Sequence, residues 1–340
     1  MRISRIVPLF VASLGVLVCG VGAAPRADAK TYSIATLAPR NSTWMKYFRK
    51  MAAEIKRKTN GAVKLKFHSD GSRGDEALVV EKMRLGELHG AAITNVGLGK
   101  IQPAILVQQL PLLFRNYKEL DCLRERMNAK FSALLEEKGF IAVGYGDVGF
   151  IYNFSKHPVR QPADFGTMGA KVWAWTDDPI GRAIQQEAGI ATVPLSVPDV
   201  LSTLQTGGID TFYNAPYAAM ALQWFTHAKY IVNLKLAVAV GATVLTKAAW
   251  DSISAEHQPI VRALTEKWGN KLNVRLRGDN RRAVKVLTTD HGLQVVKLTK
   301  AERKVWQGIA RKVQKSFVGT LYSAELLAEV KSTIKACRGQ

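Results

Sequence analysis

Apolar and polar residues alternate along the chain in blocks that change period repeatedly. Tyr32–Leu37 reads as a buried strand, and Asn41-Ser42-Thr43 then caps a helix running to about Lys58. Thr59-Asn60-Gly61 stops that helix, and Val63-Lys64-Leu65-Lys66-Phe67 alternates as a half-exposed strand. A helix is expected from about Asp75 to Leu85, then a strand over Gly90–Asn95 and a long helix over Asn116–Lys138. Phe140–Gly144 and Phe150–Phe154 look extended, Lys171–Trp175 is a strand, and Pro179–Ala188 and Val197–Gln205 are helices, the second ended by Gly207-Gly208. Leu236–Leu245 is a long apolar strand, and from Ser254 onward the chain is mostly helical, with Thr299-x-x-Glu302 a capping box. Strands alternating with helices of this length predict an open α/β sheet. With no repeat and no flexible linker, two domains are expected to exchange the chain more than once.

The first thirty residues depart from this pattern. Arg2 and Arg5 precede an apolar stretch from Ile6 to Ala24, and Ala27-Asp28-Ala29 offers small residues where a signal peptidase reads. The segment predicts a signal peptide over residues 1–29, cut after Ala29, and hence export to the periplasm; a retained membrane anchor is the alternative. No later run reaches the roughly 18 uninterrupted apolar residues of a second span.

Export changes the meaning of the charge. The 340 residues carry 48 Lys and Arg against 27 Asp and Glu, a formal net charge of +21. A balance so basic points first to nucleic acid, an anionic membrane surface or an acidic ligand. Loss of Arg2, Arg5, Arg26 and Asp28 leaves +19 on a chain held away from any genome. Basic clusters such as Lys56-Arg57-Lys58 and Arg275–Lys285 lack the interleaved aromatics of a nucleic-acid platform, so no nucleic acid is expected. The charge is expected on the outer surface, drawing the protein towards anionic membrane. Of three cysteines, Cys122 and Cys337 survive export, and they either pair across the chain or remain free thiols.

Chemistry-bearing motifs are sparse. Gly144-Tyr145-Gly146-Asp147-Val148-Gly149 spells G-x-G-x-x-G, yet a β-prone Phe150-Ile151-Tyr152-Asn153-Phe154 follows where a dinucleotide site needs a helix N-terminus. The six histidines are scattered, and the cysteines make no C-x-x-C, so neither metal nor cofactor is expected. Asp177-Asp178 before Pro179 reads as first-turn helix charge. Nothing indicates an enzyme. The aromatics say more: Trp173 and Trp175, two apart on a strand, point the same way, and Tyr213, Asn214 and Tyr217 cluster around Pro216. Together they suggest a pocket with aromatic walls and few polar groups.

A set of ordered landmarks then carries a resemblance. They are Lys58-Thr59-Asn60-Gly61-Ala62-Val63, Leu85-Gly86-Glu87-Leu88, Leu110-Pro111-Leu112-Leu113-Phe114, Pro162-Ala163-Asp164, Gly169-Ala170-Lys171-Val172 and the block Val197–Asp210. Over residues 31 to 330 the chain resembles the extracytoplasmic solute-binding proteins of TRAP transporters, the DctP-like family. The resemblance implies a two-lobed, periplasmic-binding-protein-like α/β fold with interleaved lobes and a long C-terminal bracing helix. Its expected divisions are a first lobe over 30–150, a second over 151–236, a return to the first over 237–285 and bracing helices over 286–340. Crossings are expected near Phe150 and Leu236. It also implies a monomeric, non-enzymatic receptor that captures a small solute and delivers it to TRAP permease subunits.

One departure matters. The family's usual K-I-R-V strand carries an arginine that pairs with a ligand carboxylate, and here Lys171-Val172 is followed by Trp173. The ligand expected is therefore largely apolar or aromatic, met by Trp173, Trp175, Tyr213 and Tyr217, oriented by Asn214 and Asn95, with Asp147 and Phe150 at the crossing. Two alternatives stand beside it. One is a C4-dicarboxylate or other organic acid held by a different cation such as Arg182 or by backbone donors; the other is a basic envelope scaffold for an acidic partner.

Overall fold

A computed structural model describes residues 29–338. The segment expected to be a signal peptide lies, up to Asp28, outside the described residues. The chain opens with β1 (Lys30–Thr36), α1 (Thr43–Lys58), β2 (Val63–His68), α2 (Glu76–Arg84), β3 (Gly90–Thr94) and α3 (Asn95–Ile101). A 3-10 turn over Pro103–Gln109 and α4 (Tyr117–Glu136) lead into β4 (Phe140–Ser155). Then come α5 (Pro162–Thr167), β5 (Val172–Trp175), α6 (Pro179–Glu187), β6 (Thr192–Leu195), α7 (Val200–Gln205), β7 (Thr211–Asn214), α8 (Pro216–Ala221) and β8 (Tyr230–Val232). β9 (Ala237–Thr246), α9 (Lys247–Asp251), α10 (Gln258–Thr289), β10 (Gln294–Val296), α11 (Lys300–Ser316) and α12 (Ala324–Arg338) complete it.

The main sheet runs β2-β1-β3-β9-β4-β7-β5-β6. β4 joins its two halves. Up to Ile151 it pairs antiparallel with β9, and from Tyr152 it pairs antiparallel with β7. One half therefore holds β1, β2, β3 and β9, the other β5, β6 and β7, with β8 and β10 paired beside β4. The chain passes between the halves at Ile151–Tyr152 on β4 and returns at Ala237 on β9.

α10 packs on α1, β4 and α8, and so braces both halves. At 1.5 Å per residue it is about 48 Å long. This long helix begins at Gln258, well before the bracing segment expected at 286, while α11 packs on α6 and α12 on α4. Two extended stretches expected over Phe140–Gly144 and Phe150–Phe154 are one continuous strand that runs through the glycines between them. These glycines make room for α10. A Cβ on Gly144 would lie 3.2 Å from the Thr265 carbonyl oxygen, and one on Gly149, whose φ is +138°, 2.7 Å from the Asn280 amide nitrogen. Register shifts at Ala142/Gly144 and Asp147/Gly149 mark bulges in the strand. The helix expected over Val197–Gln205 starts as a 3-10 turn over Val197–Asp199.

Cys122 on α4 and Cys337 on α12 are joined in a disulfide with Cα atoms 6.0 Å apart. Pairing is thus the outcome of the two alternatives left open by spacing. Among the described residues no helix is long and apolar enough to cross a membrane.

Candidate ligand cleft

Where the two halves meet, a cavity of about 190 Å³ is walled by aromatic side chains from both. Strand alternation puts Trp173 and Trp175 of β5 on one face, with ring centroids 6.3 Å apart. Tyr213 of β7 stacks on Trp173 at 4.8 Å, and Trp224 meets it edge-on at 5.1 Å. The indole nitrogens are used within the protein: Trp173 donates to the Leu195 carbonyl at 3.1 Å, and Trp175 to Asp75 Oδ2 at 2.9 Å. Trp44, Tyr47 and Phe48 of α1 and Trp268 of α10 close the opposite wall.

The halves are clasped around this cavity. Asp75, the N-cap of α2, accepts from Trp175 and from the Val197 amide at 2.9 Å. The Tyr217 hydroxyl accepts from the Thr43 amide at 2.7 Å at the start of α1, and Lys100 pairs with Asp177 at 2.7 Å. A polar chain crosses the floor: Asn95 Nδ2 donates to Gln109 Oε1, Gln109 Nε2 to Asp178 Oδ2 at 2.9 Å, and the Tyr213 hydroxyl to the same oxygen at 3.4 Å. Asp178 also caps α6 through the Gly181 amide at 3.0 Å.

Of the residues expected to meet ligand, Trp173, Trp175, Tyr213, Asn214, Asn95 and Asp147 line the cavity. Asn214 Oδ1 is turned to the Ala215 amide at 2.8 Å. Asp147 is ion-paired with Arg124 at 2.6 Å and Arg277 at 2.7 Å, and Arg277 in turn grips Asp121. Phe150 does not line the cavity; alternation turns it away from Ile151 to pack under Tyr117 at 4.9 Å. Tyr217 lies behind Trp44, 5.0 Å from it, and serves as a clasp rather than a wall. Arg182 sits exposed on α6 and is not at the cavity. The sequence reading missed Trp44, Trp224, Trp268, Gln109 and Glu76, and took Asp178 only as first-turn helix charge.

Glu76 is fully buried and accepts from the Thr94 amide and hydroxyl at 2.8 Å and the Gly97 amide at 2.8 Å. Burial dominates these bonds and, with Asp75 adjacent, pushes its pKa from 4.5 up to about 7. Burial likewise raises Asp75 and Asp178. Across pH 4.5 to 7 the folded chain thus keeps a proton on Glu76 that the unfolded chain has released. Stability is expected to fall through that window, by up to roughly 3 kcal/mol from this group. Urea titrations at several pH values check this, and Glu76→Gln should flatten the slope; an unchanged slope would assign it elsewhere.

Comparison with known proteins places this geometry. Residues 34–320 match the family model DctP, described as bacterial extracellular solute-binding protein, family 7. A solute-binding protein of Chromohalobacter salexigens is 27% identical over 63% of this chain and 64% of its own length. The 2,3-diketo-L-gulonate-binding periplasmic protein YiaO of Escherichia coli is 24% identical over 81% of this chain and 84% of its own. A TRAP periplasmic solute-binding protein from Ralstonia eutropha H16, crystallised with (S)-2-acetolactate, has 21% identity and superposes with a TM-score of 0.83. That superposition covers 90% of this chain and 99% of the other.

Proposed function

Because the chain belongs to the DctP family of bacterial extracellular solute-binding proteins, we propose that its cleft holds a small ligand with a largely apolar or aromatic body for delivery to a TRAP permease. The family is one of periplasmic binding receptors, not enzymes, and its members bind small solutes for TRAP permeases. One observation carries the ligand reading. Among the described residues that line the cavity, none is Lys, Arg or His, in a chain of net charge +21. An apolar ligand needs no counter-charge and gains roughly 25 cal/mol per Å² of apolar surface buried. A carboxylate in the same place would lose its hydration without a fixed cation to replace it.

An organic acid is the second reading, favoured by the acidic ligands of the Escherichia coli and Ralstonia relatives. In this chain such a ligand would rely on amide and backbone donors, because Arg182 is exposed elsewhere. Native mass spectrometry of protein purified from periplasm, followed by thermal shift against identified candidates, separates the two. Co-purification of an apolar or aromatic molecule that raises the melting temperature is expected. A retained dicarboxylate or sugar acid would overturn the apolar reading.

A further inference from the structure

The acids around the cleft are not equivalent. Asp147 is neutralised by Arg124 and Arg277, whereas Glu76 and Asp178 also line the cavity and are held only by neutral donors. Lys100 on α3 is spent on Asp177 and does not line the cavity. Glu76 and Asp178 share one end of the cleft, because Glu76 binds Thr94 and Gly97, which flank Asn95, and Asn95 reaches Asp178 through Gln109. That end also meets Trp173, Trp175 and Tyr213, since the Tyr213 hydroxyl donates to Asp178 and accepts from the Trp175 amide at 3.3 Å.

A cavity with π-faces and two uncompensated carboxyl groups, and no cation in its lining, complements one kind of ligand head. We propose that the ligand of this receptor carries a cationic amine or ammonium group on its apolar or aromatic body, seated at the Glu76–Asp178 end of the cleft. This rests on the apolar reading above and adds the sign of the ligand's charge. Burial raises both carboxyl pKa values, as expected for acids without a counter-ion, and a cation beside them favours their ionised forms. The ring faces add a quadrupole attraction for the same charge. The positive exterior does not oppose this strongly, since exposed charges are screened beyond about 8 Å at physiological salt.

Three probes sharing an indole body test the charge alone: tryptamine, its neutral alcohol tryptophol and indole-3-acetate. Calorimetry on the full mature chain in 0.15 M salt should give tryptamine at least ~10-fold tighter than tryptophol, with indole-3-acetate weakest. Asp178→Asn keeps an N-cap for α6 and should lower the tryptamine-to-tryptophol affinity ratio by ~5-fold or more. Glu76→Gln is the second variant, with the same expected direction, should the first fail to fold. Tryptophol binding as tightly as tryptamine, or a ratio unmoved in both variants, would overturn the cation proposal and leave the apolar reading standing. Indole-3-acetate binding tightest, or no binding by any of the three, would overturn both.

Discussion

Trp173→Ala is expected to destabilise the protein by about 3–5 kcal/mol and to reduce ligand affinity by ~100-fold or more. Trp173 is only 2% exposed and holds Tyr213, Trp175 and Trp224 in place as well as lining the cavity. Its removal leaves a void that the surrounding rings cannot fill without leaving their hydrogen bonds to Asp178 and Asp75. Trp173→Phe keeps part of the ring and loses the bond to the Leu195 carbonyl, so it should cost less, about 1–2 kcal/mol. Trp173→Arg would bury a cation among these rings and should destabilise at least as much as alanine, while an acid ligand, were it the true one, would restore stability. Chemical denaturation with and without ligand reads all three. An alanine variant within about 1 kcal/mol of the parent would show that Trp173 does not hold the surrounding rings in place.

The order of strands and helices was legible because each element carries its own punctuation. Ser42 caps α1 through the Met45 amide, and Thr299 and Glu302 form the reciprocal box that opens α11. β4 was read as two pieces because its glycines look like a break, and only the presence of α10 explains why a strand must lack side chains there. Of the aromatic wall, Trp173 and Trp175 were legible from spacing, since residues two apart on a strand share a face. Phe150 was expected at the crossing, but its neighbour Ile151 lines the cavity there, and alternation sends Phe150 to the other side. The polar floor was illegible. Asp178 does what its local sequence suggests by capping α6, but its other oxygen meets Gln109, 69 residues earlier, through tertiary contact alone. The absence of a cation from the cavity could be suspected from Trp173 yet required knowing where Arg182, Arg124 and Arg277 end up.

Replacing both Cys122 and Cys337 by serine is expected to cost about 3–5 kcal/mol and lower the melting temperature by about 5–10 °C. The bridge joins residues 215 apart and pins α12, the last helix, onto α4. Constraint of so long a loop removes much conformational freedom from the unfolded chain, which is why the expected effect is large. In the folded state α12 keeps other ties to the first half: Arg338 pairs with Glu119 at 3.1 Å and donates to the Leu113 carbonyl at 3.0 Å. These hold the helix in place without the bridge, so the serine variant should stay folded at room temperature and retain ligand affinity within ~3-fold. Neither cysteine lines the cavity, so stability and binding should separate. Thermal denaturation of oxidised, reduced and doubly substituted protein, with ligand affinity measured on each, is the check. Equal melting temperatures in all three would mean that the native ties of α12 already supply what the disulfide adds. A joint loss of stability and affinity would instead couple the far face of α4 to the cleft, through Arg124, which extends from that helix to Asp147.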